Sequence, residues 1–591
     1  MSEAFLNVGE SLSGKRWELL VGDERTALAM AQRLSIPEVA GRVMAARGVP
    51  LEEAEVFLDP TLRALLPDPF HLIDMDKATE RLSQAIMAGE KIAVFGDYDV
   101  DGSTSSALVA RYLTAVGTPF EVYVPDRLKE GYGPNGPALE GLRQNGASVA
   151  MTVDCGTTAH EALQAGQDAG LDVIVVDHHE AESLLPPAYA IVNPCRLDET
   201  SPHRHMAAVG VTFLVLVALN KVLREKGFFE GKREPNLLGW LDIVALGTVC
   251  DVVPLKGVNR AFVRQGLKVM NQRLNPGITA LSDVARIDET PGAYHLGFIL
   301  GPRVNAGGRV GEAGLASKLL ASDDQDAARQ IAERLDAFNA ERQDIEGGIL
   351  TEAMGMIEAE AEPPSALAFA VGQGWHPGVI GIVASRLKER YNIPACAIAV
   401  QDGMATGSAR SIFGVDFGSA VIAARQAGLL EKGGGHAMAA GFSLKEENLP
   451  AFRDFLSERF SARIAEEKIV PTLKLDGVVT VKGATVSLIE QLDALAPYGA
   501  GNPEPRFAIS GARIMDARPV GKDQSHVSCA LTGPDGGRLK AIAFRAMESG
   551  IGEALLNHSG APLHIAGRLR INRWQGNETA QFMIDDAAWL A

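Results

Sequence analysis

Cysteine is scarce. The five present (Cys155, Cys195, Cys250, Cys396, Cys529) are scattered, odd in number and form no C-x-x-C pair. That excludes a disulfide framework and a thiolate zinc site, and it fits a reducing compartment, so a cytoplasmic location is expected. Long apolar runs are missing too: the longest, Ala207–Leu219, is too short to cross a bilayer and reads as a buried helix. No membrane association is expected, and the opening MSEAFLNVGE lacks the basic and apolar regions of a secretion signal. Basic charge is in deficit, with 56 Lys and Arg against 74 Asp and Glu and a net charge of −18. Any nucleic acid must therefore be held by the local field of a groove, not by overall attraction. What is there is ordinary globular material: 591 residues, 46% hydrophobic and 22% charged, enough for three or four cores.

Residues 24–90 carry apolar positions at helical spacing, as in ERTALAMAQRL and KATERLSQAIMAGE. From Lys91 the texture changes. Ile92–Phe95, Ser148–Val153 and Leu171–Val176 are short, β-branched apolar runs, separated by helical stretches such as Thr104–Val116 and Thr158–Gly170. Strands alternating with helices predict a parallel sheet covered on both faces. Over Ser322–Glu360, Ile331, Leu335, Phe338, Ile345 and Ile349 form one apolar seam, interrupted by Arg342, which predicts a long amphipathic helix joining two domains. A second, glycine-rich α/β region runs from Leu367 to about Phe460. Beyond it, short alternating segments (RFAISGARIMDA, VSCALTGPDGGRLKAIAF, LHIAGRLRIN) predict a small β-barrel, with an OB-like barrel among the candidates. No coiled-coil array demands a dimer, so a monomer is expected. Gly9–Arg16 imitates a phosphate-binding loop, but Arg16 stands where a magnesium-binding hydroxyl belongs and no strong strand precedes it.

The informative feature is where the acids fall. Ile92–Gly96 runs into Asp97-Tyr-Asp99-Val-Asp101-Gly102, Ser148–Val153 into Asp154-Cys-Gly, and Val173–Val176 into Asp177-His178-His179. In open parallel sheets the ligand crevice lies outside the carboxyl ends of the strands. Asp251, past another apolar stretch, is a fourth candidate. Singly, each acid reads as a cap or turn residue. A calcium loop starting at Asp97 fails because its twelfth position is Leu108. Together the acids would repel one another by about 4 kcal/mol per close pair at an effective dielectric of 20. Bound cations are the usual remedy, and an oxygen-rich set with imidazole suits Mn²⁺ or Mg²⁺; the number of ligands implies two ions.

These residues resemble the DHH phosphoesterase superfamily. Gly301-Pro-Arg-Val-Asn-Ala-Gly-Gly-Arg309, Gly374–Gly381, Ser408-Ala-Arg-Ser411, Gly433–Gly441 and Pro497–Pro505 are similar, in order, to the motifs of its RecJ family of single-stranded-DNA exonucleases. The resemblance implies an N-terminal helical segment (1–45), a metal-binding DHH domain (46–310), a connecting helix (311–361), a DHHA1 domain (362–465) and an OB-fold domain (466–591). It implies metal ligation by Asp97, Asp99, Asp101, Asp154, His178 and Asp251, with Asp154 as the bridge. Asp177 would support the site from behind and His179 would face the scissile phosphate. Arg303, Asn305, Ser408, Arg410 and His436 fall where the family binds the nucleic-acid backbone, and Arg127 at a position linked to the 5′-phosphate. Ala409 departs from the glycine frequent there, harmless unless the backbone needs a positive φ.

The implied activity is two-metal hydrolysis of single-stranded DNA from the 5′ end, releasing 5′-mononucleotides, in recombination and repair. A single-strand-binding protein and a helicase are the implied partners. Gly433–Gly435 would let backbone N–H groups approach a phosphate. Trp375 reads as buried before it reads as a base platform. In the barrel, Arg568, Arg570, Arg573 and Trp574 are candidates for gripping the strand, or form a solvated strand. Two alternatives stand beside this reading. One is a small-substrate phosphoesterase acting on pyrophosphate, cyclic dinucleotides or very short RNA, which has no obvious need of a barrel. The other is a noncatalytic scaffold, which should have lost acids.

Overall fold

The computed structural model describes residues 3–590 apart from 127–129, 132, 361–363, 468–469 and 575. Arg127 therefore lies outside the described residues, as does the side chain of Trp574. The first strand, β1 (Arg16–Leu19), does not belong to the first α/β domain, which begins with β2 (Lys91–Gly96), β3 (Phe120–Tyr123), β4 (Ala147–Val153), β5 (Asp172–Val176) and β6 (Ala190–Val192). These five form a parallel sheet in the order β3-β2-β4-β5-β6. Helices cover both faces. Met75–Ala88, Val100–Val116 and Ala208–Glu225 bury one apolar layer, and Gly136–Gln144 with His160–Asp168 bury the other. All three β-branched runs are strands, because residues apolar on both faces fit a sheet covered twice. Ala207–Leu219 is, as expected, the start of a buried helix.

The long helix spans Gln325–Glu358 and its seam is shared between two cores. Ile331 and Leu335 pack with Leu296, Leu300 and Leu319 of the first domain, whereas Ile349, Ala353 and Ile357 pack against the second. Between them Arg342 is buried with its guanidinium on Asn339 Oδ1 and Glu346, so the break in the seam is a satisfied polar joint. The second domain is a mixed sheet, built from β7 (Ala368–Gln373), β8 (Ala395–Gln401), β9 (Met404–Arg410), β10 (Lys432–His436) and β11 (Ala439–Lys445) in the order β10-β11-β9-β8-β7. Trp375 is buried there and donates its Nε1 to Glu352 of the long helix at 2.9 Å, as the reading that favoured burial expected.

After β12 (Thr472–Leu475) and the short β13 (Gly477–Val478), strands β14 (Phe507–Val520), β15 (His526–Thr532), β16 (Arg538–Ala543), β17 (Leu563–Trp574) and β18 (Asn577–Trp589) make the barrel, closed by pairing of β14 with β17. The N-terminal segment belongs with it. β1 pairs in parallel with β12, Trp17 Nε1 donates to Asp586 at 2.9 Å, and Met30, Val43 and Met44 enter the barrel core. All five cysteines are free, and no described helix is long and apolar enough to cross a membrane.

One buried guanidinium fastens the barrel to the first domain. Arg260, 1% exposed, donates to the carbonyls of Phe57 (2.8 Å), Leu495 (2.8 Å), Ala496 (2.9 Å) and Pro497 (3.3 Å) and lies over the Phe57 ring. Burial lowers its pKa to about 10. Leu255 N–H meets Ala500 O at 2.8 Å beside it, so the segment entering the barrel is stitched to the loop that follows Asp251. Arg260→Ala should cost about 3 kcal/mol or more, because several buried carbonyls lose their donor. Urea unfolding measures that loss, and proteolysis of the 495–503 segment should accelerate with it.

Candidate active site

Strand register builds the site. Gly96 pairs with Val153, Val153 with Val176, and Val176 with Val192. The next residue of each strand therefore falls in one row along the sheet rim: Asp97, Asp154, Asp177 and Asn193. Neighbouring strands are about 4.8 Å apart, so the carboxylates are brought within ligating reach of one another by the sheet itself. Asp154 adopts φ +63°, a left-handed conformation that Asp tolerates better than most residues and that is concentrated at functional turns.

Asp99 caps the Val100–Val116 helix, accepting from Gly102 N at 3.0 Å. Asp101 is fully buried and accepts from Ala208 N (2.6 Å) and Val209 N (2.9 Å), so both its oxygens cap the 208–225 helix. Asp251 follows the helix Leu241–Cys250, so this fourth acid comes from a helix end and not a strand. His178 Nε2 faces three carboxylates: Asp154 at 3.3 Å, Asp251 at 3.6 Å and Asp101 at 3.8 Å. Ligand atoms fall into three overlapping groups, each within 4.8 Å: Asp97–Asp99–Asp154, Asp154–His178–His179 and Asp101–His178–Asp251. Asp154 and His178 are each shared by two groups.

The electrostatics explain what this arrangement needs. Burial, then the charges of Asp251 and Asp99, push Asp101 well above the ordinary carboxylate range. Burial and the charges of Asp101, Asp99, Asp97 and Asp251 do the same to Asp154. Burial and Asp99 raise Asp251 to about 7. Its buried Oδ2 accepts no hydrogen bond. Burial and the neighbouring His179 charge keep His178 neutral by lowering its pKa, which leaves a ring nitrogen fit for a metal. Oxygen donors plus one neutral imidazole, crowded and raised in pKa, fit a hard divalent cation.

Asp177 behaves differently. Burial would raise its pKa, but hydrogen bonds from His179 Nδ1 (2.7 Å), Thr157 N (3.1 Å) and His178 N (2.8 Å), together with the His179 charge, hold it far below the usual range. Against desolvation, the same bond and charge raise His179 to about 9, so near neutral pH it is a fixed cation with Nε2 pointing away from Asp177. Asn193, missed in the sequence, completes the row by donating to His179 O and Thr157 Oγ1, both at 2.9 Å.

The helix Gly301–Val310 links this rim to the second domain. Gly308 lies so close to Tyr98 that an added methyl would come 2.8 Å from the Tyr98 carbonyl oxygen, which explains a glycine there. Arg309, which closes the 301–309 motif but was given no role from the sequence, donates to Gly378 O at 2.9 Å. Gly378 leads into the helix Ile380–Tyr391, whose Gly381 would carry a methyl 3.1 Å from Ser408 Oγ and 3.2 Å from Arg410 Nη2. Arg410 also donates to Ser408 Oγ at 3.1 Å. Register puts Arg410, Ala439 and His436 in one row across three strands, with His436 exposed at its end. Ala409 is buried in an ordinary strand with no positive φ, so its methyl is simply core. Gly433–Gly435 form the edge strand β10, where Gly435 needs φ +147°.

The other expected arginines among the described residues are already engaged. Arg303 donates to Asp336 of the long helix at 2.8 Å, and half-buried Asn305 lies on the same 301–310 helix. In the barrel, Arg568 pairs with Asp585 and Glu504, Arg570 with Glu504, and Arg573 with Glu578.

A parallel-sheet phosphoesterase, with a carboxylate–histidine rim facing a second α/β domain, is the class that this fold and site define. The sequence matches the families described as "DHH family, N-terminal domain" over residues 91–248, "DHHA1 domain" over 364–462 and "RecJ OB domain" over 475–586. It is 35% identical over 584 residues to the single-stranded-DNA-specific exonuclease RecJ of Bacillus subtilis, covering 98% of this chain and 71% of that one. It is 36% identical over 564 residues to the same enzyme of Escherichia coli, covering 93% and 96%. The crystal structure of RecJ with Mn²⁺ from Thermus thermophilus superposes with a TM-score of 0.79 at 30% identity, covering 97% of this chain and 79% of that one; the Mg²⁺ form gives 0.74. The chain belongs to the RecJ family.

The pKa shifts predict how stability depends on pH and metal. A carboxyl raised from 3.8 to about 7, as at Asp251, holds a proton that the unfolded chain has lost, so stability falls as pH rises through that window. His179, raised from 6.5 to about 9, contributes stability that is full below 6.5 and lost as pH rises through 9. With EDTA present, Tm should therefore fall steadily from about pH 5 to about pH 9. Added Mn²⁺ should raise Tm more at about pH 8 than at about pH 5, since ligands must be deprotonated to bind; differential scanning calorimetry reads both.

Proposed function

We propose that the protein is an exonuclease specific for single-stranded DNA, which hydrolyses phosphodiester bonds from the 5′ end to release 5′-mononucleotides. The observation that carries this reading is the row of buried acids at the sheet rim, tied through the 301–310 helix to Ser408, Arg410 and His436 on the facing domain. Mn²⁺ or Mg²⁺ is the cofactor, in keeping with the metals named for the Thermus thermophilus structures. Asp97, Asp99 and Asp154 would hold one ion. Asp101, His178 and Asp251 would hold a second, with Asp154 shared between the two. When bound, these cations supply a water activated near neutral pH and neutralise charge on the phosphate.

The chain's own residues do the rest. Asp177 orients His179 and keeps it protonated, so that its Nε2–H can donate to a non-bridging phosphate oxygen as negative charge accumulates there. Arg410, Ser408 and His436 hold the strand's backbone on the opposite wall, Arg410 by paired N–H donors. Asn305 and Arg303 flank the same path, Arg303 by sharing its charge between Asp336 and a phosphate. Arg127 sits in the segment read as contacting the 5′-phosphate. The long helix, packed into both cores, keeps the walls at one separation, which admits one strand and excludes a duplex. A barrel of the kind matched at 475–586 favours a polymer over pyrophosphate or a cyclic dinucleotide. Action in recombination and repair, alongside a single-strand-binding protein and a helicase, fits this substrate.

Digestion of single-stranded DNA labelled at either end, with and without Mn²⁺, tests the proposal. The 5′ label should appear first as mononucleotide, only with metal, and duplex should resist; release from the 3′ label first would refute the polarity. Asp99→Ala should reduce the rate by at least about a thousandfold. Asp177→Asn should lower it by about a hundredfold and move the upper limb of the pH–rate profile down from about 9, because His179 loses the charge that keeps it protonated.

A further inference from the structure

Two aromatic rings stand in solvent where nothing in the catalytic account uses them. Tyr294 is 57% and Phe298 70% exposed, and their rings stack with centroids 5.2 Å apart and planes 24° from parallel. They lie on and just before a single π-helical segment, His295–Leu300, which runs directly into the 301–310 helix. The inner face is fixed: Leu296 and Leu300 are fully buried, and Cys250 Sγ contacts Leu296 O at 3.3 Å. The segment is thus seated on the residue next to Asp251, with its two rings on the opposite, solvent-facing side. Leaving two large rings exposed together forfeits burial, and π-turns concentrate at functional positions.

The other flank leads to the barrel. Tyr294 meets His295 edge-on at 5.8 Å, His295 Nε2 lies 3.0 Å from Glu289, and Glu289 is within electrostatic reach of Arg573 at the β17–β18 hairpin. The ring pair therefore sits between the metal-binding rim and the barrel. On this route Arg568, Arg570 and Arg573 are paired with Glu504, Asp585 and Glu578. Backbone charge is consequently a weak handle there, and the overall net charge is −18. Base faces, by contrast, stack on aromatic rings regardless of sequence or charge.

We infer that Tyr294 and Phe298 form a stacking step for the bases of a single strand passing from the barrel to the active site. The inference rests on the exonuclease reading and deepens it by naming a strand-holding site outside the cleavage centre. Because the step uses bases and not phosphates, an abasic strand should gain nothing from it. It also lies away from the terminal nucleotide, so long strands should gain more than short ones.

The test uses the full chain in an Asp99→Ala background, so that the strand persists while binding is measured. Replacing both rings (Tyr294→Ala, Phe298→Ala) should weaken binding of an oligothymidylate of about 20 nucleotides by roughly five- to hundredfold, the range found for base–aromatic stacking. It should leave an abasic strand of equal length unaffected. Phe298→Trp should retain affinity, and its fluorescence should be quenched by the oligothymidylate but not by the abasic strand. Unchanged affinity in the double variant, equal losses on both strands, or no quenching would overturn the stacking step while wild-type digestion still supports the exonuclease. Wild-type protein that digests no single strand would instead bring down the exonuclease reading, and this inference with it.

Discussion

Mutual repulsion among buried carboxylates is the constraint on which the rest of the structure depends. A parallel sheet delivers the residues after β2, β4 and β5 side by side, and here each is an aspartate. Asp101 and Asp251 arrive from helices to crowd the same volume. Burial without a cation leaves these groups clinging to protons, which is why three of them are pushed far up in pKa. A divalent cation would turn that penalty into binding energy, since the ligand atoms of each group already lie within 4.8 Å of one another.

Around this centre the protein separates two electrostatic tasks within one tripeptide. His178 is kept neutral and turned toward the acids, whereas His179 is kept charged by Asp177 and turned outward. The adjacent rings, 4.7 Å apart, hold opposite protonation preferences because Asp177 hydrogen-bonds only one of them. Positioning then passes outward through close contacts. Gly308 against Tyr98, Arg309 on Gly378 and Glu346 of the long helix facing Arg386 at 3.6 Å tie the second domain to the rim.

Much of this was legible in the sequence, for identifiable reasons. The three strands were readable because they are doubly buried and β-branched, and the rim followed from the rule that crevices form at strand carboxyl ends. The long helix was readable from its seam, and the barrel from its alternation. Asp251 was found, but its setting at a helix end was not, because the apolar run before it is buried all round and carries no periodicity. Asp101's capping of the 208–225 helix joins residues 107 apart, and the pairing of β1 with β12 spans most of the chain. Asn193 has no local pattern at all, and Arg309 closes the 301–309 motif without any sign of its distant partner; their roles arise only from where the fold brings them. The barrel arginines looked like free cations because their acidic partners lie on other strands or in a distant loop.

The central claim is that this rim exists to hold divalent metal. Mn²⁺ titration followed by electron paramagnetic resonance tests it most directly. The account predicts two equivalents per chain, spin-coupled because they share Asp154, with coupling abolished by Asp154→Asn. Binding of less than one equivalent, or a spectrum indifferent to that substitution, would contradict it.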